Sequence, residues 1–156
     1  MRLSFSVNGD DQDLEVEPRE LLLDVLRRRL DLTSVHAACE QGSCGTCTVL
    51  VDGVAVRSCL LFAIQLQGRE VRTVEDLAAD GELHPLQRAF SEHHALQCGF
   101  CTPAMVLSAL ELLELSRAPT RPEIEHALAG NLCRCTGYTS IVDAVEAAAA
   151  SLAERP

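Results

Sequence analysis

The sequence predicts an α+β fold in two halves, a small sheet followed by a set of helices. Residues 1–76 carry alternating apolar and polar runs separated by Asn-Gly and Asp-Gly, the pattern of strands joined in hairpins. From Pro85 onward such runs vanish, and apolar residues recur at helical spacing between Thr-Pro, Ala-Pro and Gly-Asn breaks. The eight cysteines divide the same way, four at positions 39, 44, 47 and 59 and four at 98, 101, 133 and 135.

Residues 2–7 read as a strand, Asn8-Gly9-Asp10-Asp11 as a turn, and Leu14-Glu15-Val16 as the start of a return strand. Pro18 suits the first turn of a helix. In that helix Leu21, Leu22, Val25, Leu26 and Leu30 form an apolar stripe while Asp24 and Arg27 to Arg29 face water. Thr48 to Val51, the Asp52-Gly53 turn and Val54 to Val56 make a second hairpin. Glu70 to Val74 is one more strand. A hairpin, a helix and further strands, with a cysteine-bearing loop after the helix, predict a β-grasp, plant-type ferredoxin-like domain over residues 1–76.

Residues 77–84, with Ala-Ala-Asp-Gly-Glu, form the expected linker. Residues 85–156 are expected to be a four-helix bundle. Its first helix runs from Pro85 to Ala95. The second starts with Thr102 as N-cap and Pro103 at the first helical position, and ends near Ser116. Thr120 and Glu123 bracket a capping box for a third, which stops at Ala129. The last starts near Ser140 and turns Ile141, Val142, Val145, Ala148 and Leu152 inward.

Composition sets bounds. The chain has 156 residues, 47% hydrophobic and 23% charged. No apolar run approaches the ~20 residues of a membrane span, so no membrane insertion is expected. A formal charge of −10 argues against a nucleic-acid footprint, and 3% aromatic residues leave little to stack on bases. The first residues alternate like a strand and lack a leader's apolar core, and Arg27 to Arg29 read as a helix face, so the chain is placed in the cytoplasm. Each half spans only about 75 residues, a size at which apolar burial alone is marginal. A metal centre in each half would supply the missing staple.

Cys39, Cys44, Cys47 and Cys59 follow the C-x4-C-x2-C…C spacing of plant-type [2Fe-2S] sites. Three thiolates on one short loop wrap one side of a flat two-iron cluster, and the second hairpin delivers Cys59 to close it. Gly42 and Gly45 allow positive φ angles and let backbone N–H groups point at the sulfurs. A zinc site usually comes as two CxxC knuckles instead.

The second set is more open. Cys98 and Cys101 precede a helix N-terminus, whose free N–H groups suit thiolates. Cys133-Arg134-Cys135 needs a tight turn that aims both sulfurs one way, with Gly137 permitting it. Taken alone this set fits zinc or iron; beside the first loop, a second [2Fe-2S] cluster is favoured. The even cysteine count also permits disulfides, disfavoured by the short spacings and a reducing compartment. Eight thiolates satisfy two clusters, so His36, His84, His93, His94 and His126 are read as ordinary surface or core residues. Phe100, between two cysteines, reads equally as a shield for the cluster and as core packing.

Three stretches together carry a resemblance: Cys39-Glu-Gln-Gly-Ser-Cys-Gly-Thr-Cys-Thr-Val-Leu-Val-Asp-Gly53, Gln97-Cys-Gly-Phe-Cys-Thr-Pro103, and Gly130-Asn-Leu-Cys-Arg-Cys-Thr-Gly-Tyr138. The chain resembles the two-cluster iron–sulfur subunits of molybdenum hydroxylases, the family of xanthine dehydrogenase, aldehyde oxidoreductase and carbon monoxide dehydrogenase. Ala104 departs from the glycine often found there. The resemblance implies a heterotrimer with a large molybdenum–pterin subunit and a medium FAD subunit, the pairing of such trimers staying open. It places the helical-half cluster near the pterin and the first cluster nearer the flavin. It also implies that Gln97 hydrogen-bonds the pterin edge and that Cys135 is the ligand closest to it. This chain would then relay single electrons and perform no bond chemistry itself. A free ferredoxin-like carrier and a zinc-stabilised interaction module are the alternatives. The substrate pocket lies on another chain.

Overall fold

The computed structural model describes residues 1–78 and 81–153. Ala79 and Asp80, inside the expected 77–84 linker, and residues 154–156 lie outside the described residues. A five-stranded mixed sheet is followed by four further helices. Strands β1 (Arg2–Val7), β2 (Asp10–Glu15), β3 (Thr48–Val51), β4 (Val54–Arg57) and β5 (Glu70–Arg72) stand in the order β2-β1-β5-β3-β4. The β1–β5 pair is parallel and the others are antiparallel.

The first turn is tighter than the sequence suggests. Asn8 and Gly9 take φ of 53° and 84°, and Val7 pairs directly with Asp10. This is the two-residue hairpin that matches strand twist, so β2 starts at Asp10 rather than Leu14. Pro18 serves a turn closed by the Glu20 N–H on the Glu17 carbonyl, a role proline fills as readily as a helix start. Helix α1 (Leu22–Asp24) begins later and widens into a π-helical turn (Val25–Arg29). It buries Leu22, Leu23, Val25 and Leu26. Two of its arginines hold the fold instead of facing water alone. Arg27 donates to the Thr33 and Val35 carbonyls at 2.7 and 2.6 Å, and Arg29 to the Glu15 carbonyl at 2.6 Å.

β3 joins the two halves. All four of its residues are buried. Successive side chains alternate across a strand, and here Val49 and Val51 enter the core beneath α1 while Leu50 enters the helical core. β5 stops at Arg72 because the Thr73 N–H turns to the Asn8 side chain at 2.8 Å; a 3-10 turn (Val74–Asp76) follows.

Helices α2 (Pro85–Glu92), α3 (Thr102–Leu115), α4 (Arg121–Leu128) and α5 (Thr139–Ala153) share one apolar core with Leu50. α2 ends before Ala95 because His94 adopts a left-handed φ of 52°. The N-cap of α3 is Cys101; Thr102 is already helical, and its buried hydroxyl has no hydrogen-bond partner among the described residues. The α4 capping box forms as expected, with the Thr120 N–H donating to Glu123 at 2.6 Å. Ala104 is fully buried at the start of α3, so its methyl is accommodated. Among the described residues no helix is long and apolar enough to cross a membrane.

Candidate metal centres

All eight cysteines are free thiols. They gather in pairs within each set. In the first, the Cys44 N–H and side chain approach the Cys39 sulfur, the N–H at 3.4 Å. Cys59 lies close enough to Cys47 for that thiol to raise its pKa. In the second, the Cys98 and Cys135 sulfurs lie 3.5 Å apart, and Cys101 pairs with Cys133. Two thiolates on one tetrahedral metal at about 2.3 Å lie about 3.8 Å from each other, close to the Cys98–Cys135 separation. Two such pairs in each set would suit a two-iron group. Among the described residues no cluster of three or more His, Cys, Asp or Glu side chains is placed to hold a single ion.

The first set is built locally. Gly42 and Gly45 adopt φ of 81° and 79° and fold the chain back between its cysteines. The Cys47 carbonyl accepts from both the Ser58 N–H at 3.2 Å and the Ser58 hydroxyl at 2.8 Å. That pair of bonds seats Cys59 beside Cys47. The Thr46 hydroxyl lies 3.2 Å from the Cys44 sulfur.

The second set is built from distant segments. Cys98 and Cys101 lie between α2 and α3, and Cys133 and Cys135 between α4 and α5. The side-chain amide of Gln97 donates to the Cys135 carbonyl at 3.0 Å and ties the two segments. The Cys133 N–H donates to the Tyr138 hydroxyl at 2.9 Å, and Thr136 Oγ1 lies 3.2 Å from the Cys133 sulfur. Gly137 takes a φ of 67° in this turn.

Each set holds one thiol shifted down and one shifted up. Hydrogen bonds from the Ser43 side chain and from the backbone of Gln41 and Cys44 lower Cys39 to about 6. Burial, then the neighbouring Cys47, pushes Cys59 up to about 11. In the second set burial, then Cys133, pushes Cys101 up to about 12. Cys133 is half-buried; the burial works to raise it, but hydrogen bonds from Thr136 and Cys135 outweigh that and lower it. A metal ion deprotonates a coordinating thiol outright, which would offset the burial that raises Cys59 and Cys101.

The two sets are neighbours. The Leu132 N–H donates to the Cys44 carbonyl at 2.8 Å, and Cys133 is the next residue. His36, read from sequence as an ordinary residue, stacks on Phe100 with ring centroids 4.3 Å apart. Its Nδ1 sits 2.7 Å from the Phe100 carbonyl. Phe100 is 43% exposed, so it is not core packing. Sequence reasoning passed over His36, Asn131, Thr48 and Arg57 at this junction. Only the unbroken apolar run Thr48-Val-Leu-Val, which marks a strand buried on both faces, signalled that something packs beyond the sheet.

Residues 5–78 match the model of a 2Fe-2S iron-sulfur cluster binding domain, and residues 73–146 that of a [2Fe-2S] binding domain. The chain is 55% identical over 145 residues to the nicotine 6-hydroxylase small subunit of Paenarthrobacter nicotinovorans, covering 93% of this chain and 87% of that one. It is 46% identical over 147 residues to caffeine dehydrogenase subunit gamma of Pseudomonas sp. strain CBB1, covering 92% and 88%. Among solved structures, quinoline 2-oxidoreductase from Pseudomonas putida 86 superposes with a TM-score of 0.93 at 47% identity, covering 97% of this chain and 94% of that one.

Proposed function

The chain belongs to the iron–sulfur small subunits of the molybdenum hydroxylases, and from that premise we propose that it is the electron relay of such an enzyme. Cys39, Cys44, Cys47 and Cys59 hold one [2Fe-2S] cluster, and Cys98, Cys101, Cys133 and Cys135 hold the other. Each cluster, when bound, takes up and releases one electron at a time. The paired sulfurs support this ligand assignment.

The observation that carries the relay is the hydrogen bond from the Leu132 N–H to the Cys44 carbonyl. It joins a ligand of one set to the residue beside a ligand of the other. With both clusters bound, that contact would leave covalent backbone and one short hydrogen bond as the link between the halves. Cys98, Cys135 and Gln97 are exposed. They face the large molybdenum–pterin subunit, with Gln97 turned to the pterin edge. The Cys39 loop faces the medium FAD subunit. Substrate chemistry stays on the large chain, and relatives named for nicotine, caffeine and quinoline point to a nitrogen heterocycle.

Residues 1–76 then form the β-grasp half, 77–84 the linker, and 85–156 a four-helix bundle. Cysteines that serve as cluster ligands and not as disulfides suit the cytoplasm. Relatives named as small or gamma subunits weigh against a free carrier. The two cluster-domain matches weigh against a zinc-held module.

Purification of the native complex with metal analysis tests the reading. The expected result is co-purification with a large and a medium chain and about four irons per copy of this chain, two for each [2Fe-2S] site. A colourless chain that purifies alone, or one that carries zinc, would refute it.

A further inference from the structure

Asn131 sits where the two halves touch and is only 2% exposed. Its side-chain nitrogen donates to the Ala104 carbonyl at 3.3 Å and to the Ser108 hydroxyl at 2.5 Å, both on α3. Its side-chain oxygen lies 3.3 Å from the Thr48 hydroxyl at the start of β3, which shares its proton between that oxygen and the Gly45 carbonyl at 2.5 Å. Gly45 approaches so closely that a Cβ there would lie 2.1 Å from that oxygen. Arg57 spans the same seam, donating to the Gly130 carbonyl at 2.8 Å and to the Thr48 hydroxyl at 2.5 Å.

The residue type follows from these contacts. An amide offers two donors and an acceptor at once. Aspartate would lose the donors to α3, and an apolar side chain would leave Ser108 and Thr48 buried without this partner, which is costly. Asn131 is thus fixed at one end to the helix that Cys101 caps and at the other to the strand that follows Cys47. Its own main chain continues directly into Leu132, whose N–H reaches Cys44, and then into Cys133.

We propose that Asn131 is a positioning residue. It holds the Leu132 N–H on the Cys44 carbonyl and so sets how fast an electron crosses from the second centre to the first. The inference rests on the two-cluster reading above. A residue that only stabilised the fold would change how much complex is made, without changing the crossing rate of intact molecules.

The test compares the purified complex carrying Asn131→Ala or Ser108→Ala with the wild type. Four quantities are read: iron per chain, hydrogen exchange of the peptide containing Leu132, the magnetic splitting between the two reduced centres, and the time separating their reduction after substrate is added. With iron unchanged, Asn131→Ala should speed exchange at Leu132 and weaken the splitting. It should also slow the crossing severalfold. Ser108→Ala removes one bond and should move each readout the same way by less. Should Asn131→Ala fail to assemble, Ser108→Ala decides alone. Fully loaded variants with wild-type exchange and crossing rate would overturn the proposal, as would a slowing that only tracks lost iron. Absence of iron from the wild-type complex would instead sink the cluster reading, and metal analysis decides that before any variant is compared.

Discussion

The two cysteine sets reach similar paired arrangements by opposite routes. The first draws three of its four thiols from nine consecutive residues, and hydrogen bonds from Ser58 to the Cys47 carbonyl seat the fourth. The second draws two from each of two segments, between α2 and α3 and between α4 and α5. Burial differs too. Cys47 and Cys59 are buried in the first set, whereas only Cys101 is in the second, with Cys98 and Cys135 at the surface. A locally coded loop carries its own geometry, and an assembled site borrows it from helix packing. The first is therefore the more self-sufficient, and the second the more open to a partner.

The sharpest way to separate them is to remove the iron. Binding energy is folding energy where the site does not preform, so the assembled site should lose more. Amide exchange after chelation should rise strongly over residues 96–101 and 132–138 and much less over 44–59. Equal loss in both would erase the distinction. Next come two glycines with nearly the same backbone angle. Gly45 and Gly99 have φ of 79° and 81°, but a Cβ at Gly45 would meet Asn131 and Gly130, while Gly99 has nothing within 4 Å. Gly99→Ala should cost about 1 kcal/mol, the left-handed strain alone. Gly45→Ala should cost about 3 kcal/mol, since a buried clash is added. Denaturant titration of the two variants measures the difference.

The smallest effect concerns the chain entering the first loop. Burial favours the protonated form of Glu75, but hydrogen bonds from Ser34 and Thr73 outweigh it and hold the carboxyl below its ordinary value. The Ser34 hydroxyl donates at 2.5 Å and the Thr73 hydroxyl at 2.6 Å. A depressed carboxylate contributes stability that is present above its unfolded pKa, about 4.3, and is lost as pH falls through the lower folded value. Glu75→Gln should therefore reduce stability at pH 7 slightly and flatten its decline below about pH 4. Thermal midpoints across that range check the sign; an unchanged acid slope would remove the assignment.

How far the sequence reached follows the same division. The cysteine spacing exposed the first loop because its ligands are near in the chain, and the Asp-Gly turn exposed the hairpin that brings Cys59. Helix starts at Pro85 and Thr120 were legible because capping residues and prolines act locally, and the last helix because its apolar residues recur at helical spacing. Pro18 misled because its fixed φ serves a turn as well as a helix. Thr102 misled because the cap fell to Cys101. The seam between the halves was hardest to read. Asn131, Thr48 and Arg57 are unremarkable in sequence and gain meaning only when residues some eighty positions apart meet. His36 likewise stood out only once Phe100, 64 residues away, lay against it.

In the proposed relay the two centres work in series, the second feeding the first. Paramagnetic resonance of the whole complex carrying Cys101→Ser tests this most directly. Without its buried ligand the second centre should be missing while the first remains loaded. Dithionite should then still reduce the first centre, and substrate should leave it oxidised. Reduction of the first centre by substrate at the wild-type rate would contradict the series arrangement.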